Sequence, residues 1–183
     1  MPYHVFETDL GWFGVRGNGG GVVTHSTIGH PSAADARAAV LVRNRADWED
    51  RPAGYDDDGP RDWLPELTAA LTRFAAGEPA DLCAFPVAPP RTAFARTVIE
   101  QLRRVGRGET VSYAELAARA GSPGAARAVG GVMRGNRVPL LVPCHRVLGS
   151  GGKLGGFSAP TGVELKKRLL ALETRDPDAL PFG

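Results

Sequence analysis

Cys144 lies between Pro143 and His145 in the run Val142-Pro143-Cys144-His145-Arg146-Val147, and of the chain's two cysteines it is the one placed like a nucleophile. A thiol reacts as its thiolate, so a nearby imidazole to take the proton and a polar pocket to hold the charge make a cysteine useful. The run before it, Val138 to Pro143, is short and apolar and reads as a buried strand that delivers the thiol to a fixed point. An inert core thiol is the competing reading. It suits Cys83, in Leu82-Cys83-Ala84-Phe85, better than Cys144, whose upstream sequence supplies a second patterned element.

That element is a pair of helices separated by a glycine turn. Ser112-Tyr113-Ala114-Glu115 has the spacing of a capping box and opens a short helix with Tyr113, Leu116, Ala117 and Ala120 on one side. Gly121 stops it, and Ser122-Pro123 restarts a helix, serine as cap and proline as first helical residue, that runs to Gly135-Asn136. Helix, glycine turn, helix is a helix-turn-helix. In the second helix Ala125, Ala128, Val129, Val132 and Met133 have core spacing, while Arg127, Gly130, Gly131 and Arg134 share the other side. Each helical glycine costs about 1 kcal/mol relative to alanine, so the pair needs a reason. Tight packing against another helix is one; close approach to a polyanion is the other, favoured by the flanking Arg103, Arg104, Arg107, Arg137 and Arg146. Before these elements, Phe94, Val98, Leu102 and Val105 mark one more helix, ended by Gly106.

Charge is divided along the chain. Net charge is +2, but residues 1–90 carry 7 Lys/Arg against 13 Asp/Glu and residues 91–173 carry 14 against 5. One half is suited to a polyanion and the other is not. The first half reads as a small α/β scaffold over residues 1–88. It has strand-like stretches at Tyr3–Arg16 and Val22–Thr27 around a glycine turn, helices at Ala33–Arg45 and Leu64–Ala76, an exposed acidic loop at Arg51–Pro60, and a strand at Leu82–Val87. Val87-Ala88-Pro89-Pro90-Arg91 is a stiff linker. A mainly α second domain with the helix-turn-helix, winged-helix-like, then covers 92–174.

With these residues in place the chain resembles the O6-alkylguanine-DNA alkyltransferases. The resemblance rests on Ser112-Tyr113, the run Ala125 to Gly130, Arg134-Gly135-Asn136, Val142 to Val147, Gly156-Phe157-Ser158 and Leu169-Leu170-Ala171-Leu172-Glu173. It is close over about 92–173 and only an outline before that. It implies that Cys144 takes an alkyl group from guanine O6 in one irreversible turnover. His145 would take the thiol proton through a water, Glu173 would hold His145, and Tyr113 would protonate the leaving guanine at N3. Asn136 would brace the helix-turn-helix against the nucleophile's loop; Val147 through its carbonyl, Ser158 through its N–H, and Phe157 and Met133 would bind the base. Arg127 would fill the space left by the flipped base. Ser112, Ala126, Gly130, Gly131 and Arg134 would face double-stranded DNA in the minor groove, with little sequence preference.

Other readings are a lesion-binding relative without chemistry, whose members lack the cysteine, a Cys-His hydrolase, and a plain helix-turn-helix regulator. No cofactor is expected, and no metal: His25 and His30 have ligand-like spacing but no cysteine pair beside them. Two separated cysteines, no leader and no bilayer-length apolar run lead to the expectation of a soluble, cytoplasmic protein, and a monomer is expected. One departure stands out. After Ser158 the family continues Gly-Gly, whereas this chain has Ala159-Pro160, a stiffer rim, followed by Thr161 and Glu164 at capping-box spacing.

Overall fold

The computed structural model describes residues 1–41 and 61–174. The last residues of the helix expected over 33–45 and the acidic loop expected over 51–60 lie outside the described residues. Strands β1 (Tyr3–Thr8), β2 (Gly11–Gly17) and β3 (Val23–His30) form an antiparallel meander in that order. The single stretch expected over Tyr3–Arg16 is two strands. The Thr8 hydroxyl donates to the Gly11 carbonyl at 2.7 Å and accepts from the Leu10 N–H at 3.2 Å, and Gly11 turns at φ +95°, open to glycine without steric cost. Helix α1 (Ala33–Leu41), capped by the Ser32 oxygen on the Asp35 N–H, buries Ala36 and Val40 against the sheet. Helix α2 (Pro65–Ala75) begins on its proline and buries Leu67, Leu71 and Phe74.

The strand expected over Leu82–Val87 does not form. The Asp81 carboxylate accepts from the Cys83 N–H and closes a 3-10 turn over Leu82–Ala84, leaving only Val87 in an extended pairing, with Val23.

The second half is helical. Helix α3 (Ala93–Arg103), capped by Thr92, buries Val98, Ile99 and Leu102, and Val105 continues the stripe. Strand β4 (Val111–Ser112) leads into α4 (Tyr113–Arg119), where the Ser112–Glu115 capping box forms with both hydrogen bonds in place. Helix α5 (Ala126–Arg134) packs on α4, and both pack on α3, giving the helix-turn-helix; β5 (Val147–Leu148) pairs in parallel with β4. Helix α6 (Val163–Glu173) closes the half behind Cys144.

Four local expectations need correction. Helix α5 starts at Ala126, not at Pro123: the Ser122 carbonyl accepts from the Ala125 N–H and Gly124 sits at φ +90°, which makes a turn of the Ser-Pro-Gly stretch. Its core stripe is narrow, with Val129 and Met133 buried and Ala128 exposed, because α5 lies at the edge of the bundle. Val138–Pro143 is a buried turn and not a strand. Pro139 and Pro143 offer no N–H to a ladder, Leu140 takes φ +73°, and the Val142 N–H returns to the Val138 carbonyl at 2.9 Å. Thr161 and Glu164 form no capping box, since Gly162 at φ +54° occupies the cap position and the Glu164 N–H meets the Thr161 carbonyl instead.

The sheet is fastened to the helical half through β3. The Ser26 N–H donates to the Arg137 carbonyl at 2.8 Å, and its hydroxyl donates to the Pro139 carbonyl at 3.0 Å, so a strand of the first half holds the turn that precedes Cys144. Next to this joint His25 is held neutral. Burial, then Arg137 and Arg16, lower its pKa from 6.5 to about 4. With the folded value below the unfolded one, the His25 contribution to stability is complete above pH 6.5 and is lost as pH falls toward 4. Urea unfolding of His25→Gln across that range should show a shallower loss of stability than the parent; parallel curves would contradict the assignment.

Candidate functional site

The surroundings of Cys144 are built by three short devices. A 3-10 turn over Cys144–Arg146 directly follows the buried turn, its Arg146 N–H bonded to the Pro143 carbonyl at 2.9 Å. Asn136, just past α5, ties both together. Its Nδ2 donates to the Val142 carbonyl at 2.9 Å and to Cys144 Sγ at 3.1 Å, while its Oδ1 accepts from the Val138 N–H at 3.1 Å. One side chain thus joins the helix-turn-helix to the sulfur.

The third device is a buried carboxylate. Glu173, at the end of α6, accepts from His145 Nε2 at 3.0 Å and from Arg146 Nη2 at 2.7 Å on one oxygen, and from Arg146 Nε at 2.9 Å on the other. Burial pushes its pKa up, but His145 and Arg146 outweigh burial and hold it at about 2. His145 is 1% exposed, and burial, opposed by Glu173, lowers its pKa, so the ring is neutral. A carboxylate can only accept, so Nε2 carries the hydrogen and Nδ1 carries a lone pair. Nδ1 is buried and has no hydrogen-bond partner. The ring packs edge-on against Phe74 of α2, at 6.4 Å between centroids, with an apolar wall behind the imidazole. Cys144 is buried, which raises its pKa, while the Asn136 hydrogen bond and the Lys166 charge pull it down; at rest it is a thiol.

Above the sulfur lies a cavity of about 450 Å³. Its lining brings Cys144, Tyr113, Asn136, Met133, Phe157 and Ser158 together, with Gly130 and Arg134 from α5 and Ala159 beside them. The Tyr113 hydroxyl lies against Gly155, where an added Cβ would stand 2.9 Å from it. Burial raises the tyrosine's pKa, and Cys144 adds to the shift. Val147 lies behind this surface, fully buried, its carbonyl accepting from Lys166 Nζ at 2.6 Å. An adjoining concavity of about 490 Å³ shares Tyr113 and Gly130 with the first and is lined by Ser112, Ala126 and Arg127. Gly131 and Arg134 are exposed along the same helix. An added Cβ at Gly130 or Gly131 would meet nothing within 4 Å, so helix packing does not require either glycine. Among the described residues no group of three metal-binding side chains is present, and no helix is long and apolar enough to cross a membrane.

Sequence reasoning missed three contributors. Lys166 is 1% exposed and holds the Val147 carbonyl; its signal was its place seven residues before Glu173, two turns away on the same helix face. Arg146 was read as part of a basic surface, but it spends its charge on buried Glu173. Ser26, Thr27 and Ile28 of β3 form one side of the Cys144 cavity, and nothing local in the sequence signals that long-range contact.

Comparison with known proteins agrees with this architecture. Residues 93–175 match the family model for the 6-O-methylguanine DNA methyltransferase DNA binding domain. The methylated-DNA–protein-cysteine methyltransferase of Cricetulus griseus is 43% identical over 138 residues, covering 68% of this chain and 65% of that protein, just under two thirds of its length. The constitutive enzyme of that name from Bacillus subtilis is 35% identical over 139 residues, covering 75% of this chain and 83% of the relative. The crystal structure of Mycobacterium tuberculosis OGT in complex with DNA superposes over all of both chains with a TM-score of 0.70 at 28% identity.

Two outcomes follow from the site's construction. Glu173→Gln leaves the buried Arg146 without its counter-charge, so unfolding free energy at neutral pH should drop by roughly 3 kcal/mol. Because the folded pKa of Glu173 lies near 2, below its ordinary 4.5, the gap to the parent should close as pH falls through that interval; a gap unchanged by acid would contradict the clamp. Gly131→Ala fills open space and should stabilise the protein by about 0.5–1 kcal/mol in thermal melts, while weakening duplex DNA binding. A variant that gains stability and keeps full DNA affinity would show that the bare face has no role in binding.

Proposed function

The chain belongs to the 6-O-methylguanine-DNA methyltransferase family, and from that premise we propose that it repairs DNA by moving an alkyl group from guanine O6 to Cys144, once per molecule. The observation that carries the reading is the orphaned lone pair of neutral His145 Nδ1, with Nε2 locked to Glu173. An imidazole fixed in one tautomer, with its second nitrogen unspent, is a base ready to take the thiol proton, the arrangement of a nucleophile, a base and an orienting group.

The steps follow from the lining of the cavity. His145 receives the Cys144 proton through a bridging water, and the sulfur attacks the alkyl carbon in line. The carbon–sulfur bond forms as the carbon–O6 bond breaks, and the electron pair goes to guanine. Tyr113, in the same cavity, supplies a proton to the leaving base at N3 and regains one from the proton that His145 has taken. Ser158, Phe157 and Met133 line the same cavity and would contact the base. Lys166 keeps the Val147 carbonyl in place behind the base site. No second thiol lines this cavity to remove the alkyl group, so the thioether is the end point.

A stacked base must leave the duplex to reach Cys144, at a cost of a few kcal/mol. Arg127, exposed on α5 beside the second concavity, is suited to enter the vacated stack. The glycines beside it let the helix approach a narrow minor groove, where sequence readout is weak. Damage at any sequence would then be accessible. The N-terminal half contributes the β3 wall and Phe74, and so belongs to the site as well as to the scaffold.

Incubation with duplex DNA carrying O6-methylguanine should add one methyl group to the intact protein, and peptide mapping should place it on Cys144. Cys83→Ser should react fully and Cys144→Ser not at all. No added mass would favour a protein that binds lesions without chemistry, and methyl on Cys83 would overturn the assignment. Arg127→Ala should slow repair in duplex DNA at least tenfold more than reaction with free O6-benzylguanine, which needs no flipping; equal losses on both substrates would remove Arg127 from that role.

A further inference from the structure

A third cavity, of about 420 Å³, is lined by Arg73, Arg103, Arg104, Arg107 and Arg146, with Asp81 the one carboxylate in its lining. It shares no lining residue with the cavity over Cys144 or with the concavity beside Arg127. Arginine keeps its charge at any pH a protein meets, so the fold gathers five guanidiniums around one hollow, and among the described residues only that of Arg146 is offset by an ion pair, with Glu173. Three of them are fixed in place. Arg103 donates to the carbonyls of Cys83 and Phe85, Arg107 to those of Gly77, Glu78 and Leu172, and Arg146 to Glu173 and the Val105 carbonyl. Carbonyl acceptors orient a guanidinium without neutralising it. Asp81 in the lining and Glu173 on Arg146 offset two of the five charges, so the hollow keeps an excess of positive charge.

Arg73, in the last turn of α2, and Arg104, just past α3, are exposed, and among the described residues neither guanidinium has a hydrogen bond or an ion pair. Placement at helix ends favours an arginine electrostatically, which explains each one singly. It does not explain why two uncommitted guanidiniums converge on a hollow whose other arginines are already immobilised. A phosphoryl group does, because two planar forks can each give it paired N–H donors while the fixed arginines supply field without reorganising. We propose that this cavity is a phosphoryl-binding site, with Arg73 and Arg104 as the clamp. The phosphoryl group would come either from a free compound such as pyrophosphate or from the backbone of a second DNA segment.

The test is thermal unfolding of the full chain titrated with pyrophosphate at constant ionic strength, with sodium chloride as the matched control. The parent should show a saturable rise in melting temperature beyond the chloride control. Arg73→Gln/Arg104→Gln should weaken the half-saturating concentration at least tenfold. Lys167→Gln/Arg168→Gln, which removes two exposed charges from α6, should leave it unchanged. No saturable rise, or equal weakening in both double variants, overturns the site. If the site stands, the salt dependence of binding to unmodified duplex identifies the source. A slope reduced by about two in Arg73→Gln/Arg104→Gln points to DNA phosphates, and an unchanged slope points to a free phosphoryl compound.

Discussion

The carboxylate of Glu173 is shared between two side chains that follow one another in sequence, His145 and Arg146, and the site is organised around that sharing. A buried anion needs full compensation, and here it gets it from a bidentate arginine and an imidazole N–H. The consequence for chemistry is indirect but strict. Arg146 keeps Glu173 ionised, Glu173 keeps the His145 hydrogen on Nε2, and the remaining lone pair is left on Nδ1. Arg146 also reaches the Val105 carbonyl, so the clamp is anchored to the segment that follows α3.

In the proposed chemistry, everything else presents the sulfur to that base and to a substrate. Two prolines and a leucine at positive φ make a turn that could not join a sheet, and Asn136 holds it by three hydrogen bonds, one of them to Cys144 itself. Ser26 of β3 fastens the same turn from the first half of the chain. The turn is therefore held from both sides, by the helix-turn-helix and by the sheet.

Much of this could be read from the residues alone, where the signals were local. The Ser112–Glu115 box, the apolar stripe of α3 and the bare glycine face of α5 depend on neighbours a few residues away, and their patterns specify them. The Cys144-His145 dipeptide announced itself in the same way, and Glu173 was reachable only through the family resemblance. Local signals failed where a long-range partner or an uncommon backbone angle decided the outcome. Val138–Pro143 has strand-like composition but is folded into a turn by its prolines and Asn136, and Ser122-Pro123 looks like a helix start until Gly124 takes a left-handed angle. Arg146 reads as one more basic residue beside the helices and Lys166 is not singled out, because the acceptors that bury them, Glu173 and the Val147 carbonyl, come from other elements.

The proposed chemistry depends on the protonation of one ring, which can be observed directly. Nitrogen-15 NMR of the histidine side chains in the resting protein should show His145 at neutral pH as the neutral tautomer with hydrogen on Nε2. That state should persist as the solution is acidified below the ordinary histidine pKa of 6.5. In Glu173→Gln the tautomer preference should weaken. An imidazolium at neutral pH, or a parent ring with hydrogen on Nδ1, would contradict the account, because neither leaves Nδ1 free to accept the thiol proton.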